Sequence, residues 1–418
     1  MTQLNPLPVL CLCLALSACS DSSASNPAAD DVGGDAAPAD SGPDGGQPDT
    51  DDASQGVDGA DTGDVPDDVP ADVADAALVD PRPIVDPGPF FVGYRQLEAT
   101  YQPPGQEEPR TLRLAVWYPT EAVTGERSFY RDLIPRDGIW ADAPPAEGPF
   151  PVLMFSHGSR AFAEQSVFLT EFLASHGWLV VAPDHLGNTL FDEDTGPLPP
   201  ALFELRPRDI SAALDHVSAL PADDPLAGAV GSPIAAAGHS FGGYTMLALG
   251  GGQFDLANLQ ENCEEEFGEE LCAYLTPEVV ERLTPGLRDD RIETIIPMAP
   301  GGYIAYRDGI ADIDVPVLLM TGGRDTFTPD ETEGDPVWEA LDGPFDVRLA
   351  IPGAGHFTFS DVCRLGLPVP GNDSCGPENI DTDEAHPVLN AFVLAFLHGD
   401  YAVFDEPSPH PGIQIVRK

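Results

Sequence analysis

Lysine is all but missing from this chain: Lys418, the last of 418 residues, is the only one. With 19 basic residues against 70 acidic ones, the formal net charge is −51. Such a surface offers no attraction to nucleic acid or to anionic lipid, and neither is expected as a partner. Cysteine is sparse as well, seven in all. The four in the body of the chain lack the close paired spacing of a zinc site, so no metal is expected. Long apolar stretches are missing too: Val9 to Leu16 is too short to cross a bilayer as a mature helix.

That short stretch has its own meaning. Met1 to Ala18 has the layout of a signal peptide, although Met1 to Val9 contain no Lys or Arg, and it ends Leu16-Ser17-Ala18-Cys19. Small residues directly before a cysteine resemble the lipobox of bacterial lipoproteins. The resemblance implies that Cys19 is acylated and becomes the new amino terminus, anchoring the protein stably through two or three chains. An ordinary cleaved signal with an incidental cysteine is the alternative. Ser20 after the cysteine resembles outer-membrane sorting, so an exported bacterial protein at the outer membrane or cell surface is expected.

Residues 19–88 are dominated by Asp, Ala, Gly, Pro, Ser and Val, with eighteen aspartates against the single Arg82. A segment so poor in apolar side chains cannot offset its ordering entropy and is expected to be disordered. Its aspartates keep no fixed period and form no calcium loop with a distal Glu. It is a tether of about seventy residues with an end-to-end distance of roughly 45 Å.

Residues 89–418 suffice for one catalytic domain. Gln96 to Gln102 and Thr111 to Tyr118 predict a hairpin around the Pro-Pro-Gly turn at 103–105. From Pro151 buried strands alternate with amphipathic helices: Val152 to Phe155, helix Glu164 to Ser175, Trp178 to Ala182, helix Arg208 to Leu220, and the strand entering Gly238. Strands Thr294 to Met298, Val315 to Met320 and Val347 to Ile351 follow, with a last helix His386 to His398. Alternation of this kind predicts an α/β fold, a mostly parallel central sheet with helices on both faces. The stretch at about 251–290 breaks the pattern with Cys263, the acidic run Glu264-Glu265-Glu266 and the amphipathic Leu271 to Leu275. It is expected to be a small cap insertion over the functional edge, the alternative being surface decoration.

The chemistry begins at Gly238-His239-Ser240-Phe241-Gly242. A strand of small apolar residues, a turn flanked by glycines and a helix would raise the Ser240 hydroxyl on a strained bend as a nucleophile. In a parallel sheet functional groups gather at the carboxyl ends of strands. Asp325 follows the strand ending at Met320, and His356 follows the strand ending at Ile351. The order Ser, Asp, His is that of the α/β-hydrolases. His356 is assigned the proton transfers and Asp325 the orientation of its ring. Phe155-Ser156-His157-Gly158-Ser159 closes an earlier strand, and the backbone N–H groups of Ser159 and Phe241 are the expected oxyanion donors. His157, His185 and His239 adjoin the same edge and are expected to be structural hydrogen-bonders. Cys11 and Cys13 leave with the signal; among Cys263, Cys272, Cys363 and Cys375 three pairings are open, and proximity favours Cys263–Cys272 and Cys363–Cys375.

Phe155 to Gly158, Leu173 to His185 and Gly238 to Gly243 together resemble the platelet-activating-factor acetylhydrolase branch of the α/β-hydrolases, whose bacterial members are often labelled dienelactone-hydrolase-like. The resemblance runs from about Phe91 to the last helix. It implies Ser240 as nucleophile, Asp325 as acid, His356 as base, Ser159 and Phe241 as oxyanion donors, and no cofactor. A serine where dienelactone hydrolases carry cysteine argues against that activity. The expected function is a serine carboxylic-ester hydrolase, acting as a monomer through an acyl-enzyme on short-chain or phospholipid-type esters. Polyester or general carboxylesterase activity, a peptidase on the same scaffold, and a catalytically silent surface module are the alternatives.

If Cys19 carries the anchor, Cys19→Ser shifts the protein from the membrane to the soluble fraction on cell fractionation; unchanged partitioning removes the anchor.

Overall fold

Apolar runs closed by glycine or proline become the strands of a single sheet. The computed structural model describes residues 87–418 apart from 123–124, 132, 193–197, 267–268 and 365–375. The signal segment, Cys19, nearly all of the tether and Cys375 therefore lie outside the described residues.

In chain order the elements are β1 (Phe91–Tyr101), β2 (Arg110–Thr120), β3 (Arg127–Tyr130), β4 (Ile134–Ala141), β5 (Phe150–Ser156), α1 (Val167–Ser175) and β6 (Leu179–Pro183). There follow α2 (Leu202–Ser218), β7 (Val230–His239), α3 (Phe241–Leu249), α4 (Leu256–Glu266), α5 (Glu269–Tyr274) and α6 (Pro277–Leu283). The chain ends with β8 (Thr294–Met298), β9 (Leu318–Gly322), α7 (Gly334–Ala340), β10 (Val347–Ile351), α8 (Thr382–Leu397) and β11 (Gln414–Arg417). The sheet order is β11-β10-β9-β8-β7-β5-β6-β2-β1-β4-β3. From β6 to β10 every neighbouring pair is parallel, while β1, β2 and β11 join antiparallel.

Strand order positions the site. After β5 the chain crosses to β6 on one side and returns as β7 on the other. Connections leaving β5 and β7 diverge, which opens a crevice at their carboxyl ends, the usual binding place in an open α/β sheet. Alternation along β5 sends Val152 and Met154 into one apolar layer, with α2, α3 and the 256–287 helices, and Leu153 and Phe155 into the other, with α1 and α8. Both faces of the sheet are thus covered, as a parallel sheet requires.

Several elements depart from the sequence expectation. Helix α1 starts at Val167 rather than Glu164, and α2 at Leu202 rather than Arg208. Pro207 lies inside α2, where it removes one helical donor. The Phe203 carbonyl that its N–H would have met instead accepts the Tyr244 hydroxyl, 3.1 Å away, so the helix runs through the proline. The β3–β4 hairpin and β11 went unrecognised: Arg127, Arg131, Arg136 and Asp137 obscure any apolar alternation in the hairpin, and β11 is a four-residue edge strand. Among the described residues no helix is long and apolar enough to cross a membrane.

In the 251–290 stretch, Leu259, Leu271, Leu275, Val279 and Leu283 join the α2–α3 layer. The Tyr274 hydroxyl (2.8 Å) and Arg282 guanidinium (3.0 Å) both bind the buried Glu204 carboxylate of α2. Cys263 and Cys272 are joined by a disulfide, with Cα atoms 5.3 Å apart, tying α4 to α5. Cys363 is also disulfide-bonded.

Candidate active site

The strand β7 ends in a bend tighter than most side chains permit. Ser240 has φ +59° and ψ −118°, a region rarely occupied except by glycine. Its N–H is held by the Met298 carbonyl of β8 at 2.9 Å. A Cβ on Gly242 would stand 2.0 Å from the Ser156 carbonyl oxygen, and one on Gly238 would stand 2.4 Å from that of Gly242. Only glycine fits either place, so the pattern around Ser240 follows from backbone packed on backbone. The bend leaves Ser240 half-buried at the amino end of α3.

Asp325 follows β9 and His356 follows β10, both buried. His356 Nδ1 lies 2.8 Å from Asp325 Oδ2. The other carboxylate oxygen accepts the N–H groups of Phe327 (2.8 Å) and Thr328 (2.7 Å), and the Thr328 hydroxyl lies 2.7 Å from Oδ2. Fixed on both oxygens, the carboxylate holds the proton of the imidazole on Nδ1 and leaves Nε2 as the basic nitrogen. His239, the residue before Ser240, meets the His356 carbonyl at 2.9 Å, and the two rings are 4.6 Å apart.

The loop leaving β5 passes directly beside the nucleophile: a Cβ on Gly158 would be 3.3 Å from that of Ser240. The Gly158 carbonyl accepts His157 Nδ1–H at 2.7 Å and the Ala161 N–H at 3.3 Å. A peptide is planar, so pinning this carbonyl aims the Ser159 N–H the opposite way. Among the described residues no protein group takes the N–H of Ser159 or of Phe241. Both are available to an oxyanion, and Phe241 adds the favourable end of the α3 dipole.

Beneath this loop runs a buried polar network that the sequence concealed. Arg206, fully buried, donates to the His157 carbonyl, to Ser156 Oγ at 3.2 Å and to Asn188 Oδ1 at 2.6 Å. Burial holds its guanidinium down to about 9. Its plane also lies 4.6 Å from the Phe241 ring centroid. Ser156 Oγ contacts His185 Nε2 at 2.9 Å, and His185 Nδ1 meets Asp209 at 2.9 Å. Asp209 in turn receives two bonds from Arg110 and one from the Tyr101 hydroxyl. The signal was present in α2: Leu202, Leu205, Arg206, Asp209, Ile210 and Ala213 share its buried face, and charged residues on an apolar stripe mark buried groups that must find partners.

His239 lies beside the base, His157 and His185 lie in the network under the β5 loop, and all three are buried. Burial chiefly drives each far below the ordinary histidine range, His239 to about 3. They stay neutral and serve as fixed hydrogen-bonders; His185 and His356 each face a carboxylate with Nδ1, but the Nε2 of His185 is taken by Ser156 Oγ in the network beneath the loop. Among the described residues no group of three or more His, Cys, Asp or Glu side chains is arranged to hold a metal ion.

Glu333 is buried behind the acid, accepting the Tyr303 N–H at 2.8 Å. The neighbouring Gly301 N–H meets the Ser240 carbonyl at 3.4 Å. Burial pushes Glu333 up to about 7 against the lowering pull of the Tyr303 and Gly302 N–H groups, with a smaller upward push from the Asp325 charge.

Comparison with known proteins bears on the fold and the family. The chlorophyllase family profile matches residues 126–262, a segment containing the β5 loop, α2, β7 and Ser240. The chain is similar in structure to a ferulic acid esterase from Streptomyces cinnamoneus, with TM-score 0.55 and 21% sequence identity, over 80% of this chain and 99% of that one. No curated protein sequence matches it. The fold is that of the α/β-hydrolases, and the partial chlorophyllase match and the esterase neighbour support a carboxylic ester hydrolase.

The buried acid gives a pH test. A carboxyl whose folded pKa is raised loses folding stability as pH climbs from its unfolded to its folded value. Relative to Glu333→Gln, the wild type is therefore expected to lose stability between about pH 4.5 and about 7 and to lose no more above that. Urea midpoints for both proteins at pH 5 and pH 8 check this; a constant difference contradicts it.

Proposed function

We propose that the protein is a lipid-anchored serine esterase that cleaves short-chain or phospholipid-type esters through an acyl-enzyme. The observation that carries the chemistry is the ordered set of groups at one sheet edge, with Ser240 on its bend and His356 polarised by Asp325. His356 Nε2 takes the Ser240 hydroxyl proton as Oγ attacks the ester carbonyl. The carbonyl oxygen gathers charge toward the N–H groups of Ser159 and Phe241. Collapse breaks the bond to the alcohol oxygen, which receives the proton from His356; a water then repeats the sequence and frees the acid.

An apolar rim supports a lipid-like substrate. Leu190 and Phe191, in the loop after β6, are 52% and 48% exposed. The loop is fastened to the Ser159 turn, the Leu190 N–H meeting the Ala161 carbonyl at 2.9 Å. On the other side Phe327 and Phe357 flank His356 at 5.1 and 5.2 Å between ring centroids. Those two rings favour a second reading, an aromatic ester, which is the substrate type named for the ferulic acid esterase above.

Ser240→Ala is expected to lower hydrolysis of p-nitrophenyl acetate by at least about 10⁴-fold with folding intact. Activity retained in the purified variant would falsify the assignment. Rates on a short-acyl phospholipid, a polyester and a feruloyl ester then separate the substrate readings.

A further inference from the structure

We propose that Gln165 is a positioning residue that locks the oxyanion loop to the strand end bearing the catalytic base, through the ring of His239. The inference rests on the roles given above to Ser240, Ser159 and His356.

Gln165 is not part of any motif around the nucleophile, yet its side chain stands at the centre of the site. Its Oε1 accepts the Gly158 N–H at 2.7 Å, and its Nε2 lies 3.0 Å from His239 Nδ1. His239 Nε2 lies 2.9 Å from the His356 carbonyl. The direction of every bond is compelled. A carbonyl can only accept, so the His239 proton sits on Nε2 and Nδ1 is bare. A bare Nδ1 needs a donor, so the amide nitrogen of Gln165 faces it. The amide oxygen then faces Gly158, whose N–H can only donate. No member can reverse without breaking the other links.

The chain of bonds is dry, Gln165 and His239 being 1% and 2% exposed, so an unmatched group inside it carries its full desolvation cost. The backbone of the same turn grips the base loop again. The Gln165 carbonyl accepts the Asp361 N–H at 2.7 Å, and Ser166 Oγ donates to the Phe359 carbonyl at 3.0 Å. Two parts of the reaction centre that leave different strands, the Ser159 donor after β5 and the base after β10, are thereby referenced to one another. Because His239 stays neutral over the working range of the base, the lock does not loosen as His356 changes charge.

An element that fixes donor and base relative to each other acts on the transition state more than on the bound ester. Gln165→Leu removes all three side-chain bonds, those with Gly158 and His239 and the one from Nε2 to Ser166 Oγ at 3.1 Å, at similar volume, and Gln165→Asn keeps the amide but is one methylene too short to span Gly158 and His239. In the full chain, each is expected to lower kcat for p-nitrophenyl acetate by 10- to 100-fold with KM within about twofold. Affinity for an alkyl trifluoromethyl ketone, which forms the tetrahedral adduct at the serine, falls by the same factor, while inhibition by the product carboxylate is unchanged. Gln165→Glu should recover most of kcat, because a protonated carboxyl keeps the acceptor for Gly158 and one donor for His239 Nδ1, losing only the second amide N–H, which meets Ser166 Oγ. If the Leu variant does not fold, the Asn and Glu variants carry the test.

A folded Leu or Asn variant with wild-type kcat overturns the proposal. So does a parallel loss of ketone and carboxylate affinity, or a Glu variant as impaired as Leu. Failure of the underlying site assignment looks different: Ser240→Ala would then keep its esterase activity whatever residue 165 is.

Discussion

Backbone pressed against backbone at one bend is the constraint on which the rest of this molecule depends. Ser240 can stand in its unfavourable conformation only because Gly238 and Gly242 let the loop after β5 close on it and because β8 holds its N–H. That single requirement brings β5, β7 and β8 side by side with their carboxyl ends level. Once they are level, the residues following β9 and β10 arrive on the same edge through sheet register alone. The strain is local; the parallel sheet that over-determines it is the whole domain.

A second principle is the neutrality of everything that must not titrate. Four histidines converge near the nucleophile, and a site with four independent imidazoles would change its hydrogen-bond pattern several times across the physiological range. Burial removes three of them from that range, and their tautomers are then dictated by partners that can only donate or only accept. His185 also meets a carboxylate, Asp209, but its Nε2 is taken by Ser156 Oγ, whereas His356 pairs with Asp325 at the strand end beside Ser240. Arg206, buried below, stiffens the same loop from the other side without touching the reacting atoms.

The extreme acidity of the chain takes on meaning against this background. Arginines are few, and many are placed against buried or half-buried carboxylates: Arg110 with Asp209, Arg113 with Glu164, Arg348 with Asp330. Each such pair compensates a charge that could not otherwise be buried. Positive charge is used inside, where it holds β2 to α2, or β10 to the loop after β9, and little is left for the surface.

The strands β8 and β10 were legible to the residue, as short apolar runs closed by proline or glycine, and Ser240, Asp325 and His356 were legible because strand–turn–function is a local pattern. The start of α2 was not, because Pro207 signals a beginning unless one knows that the Tyr244 hydroxyl will take the orphaned Phe203 carbonyl. Nor was the β3–β4 hairpin, where Arg127 pairs with Asp137 across the strands but Arg136 pairs with α1 and Arg131 with Asp184. Gln165, Arg206 and Asp209 went unseen for the same reason. Local order thus singled out the candidate residues, since Ser240, Asp325 and His356 each sit at the end of a recognisable strand. What only the tertiary structure decided was how those residues are held: hydrogen bonds between side chains from different strand ends depend on distances across the sheet, which spacing along the chain does not encode.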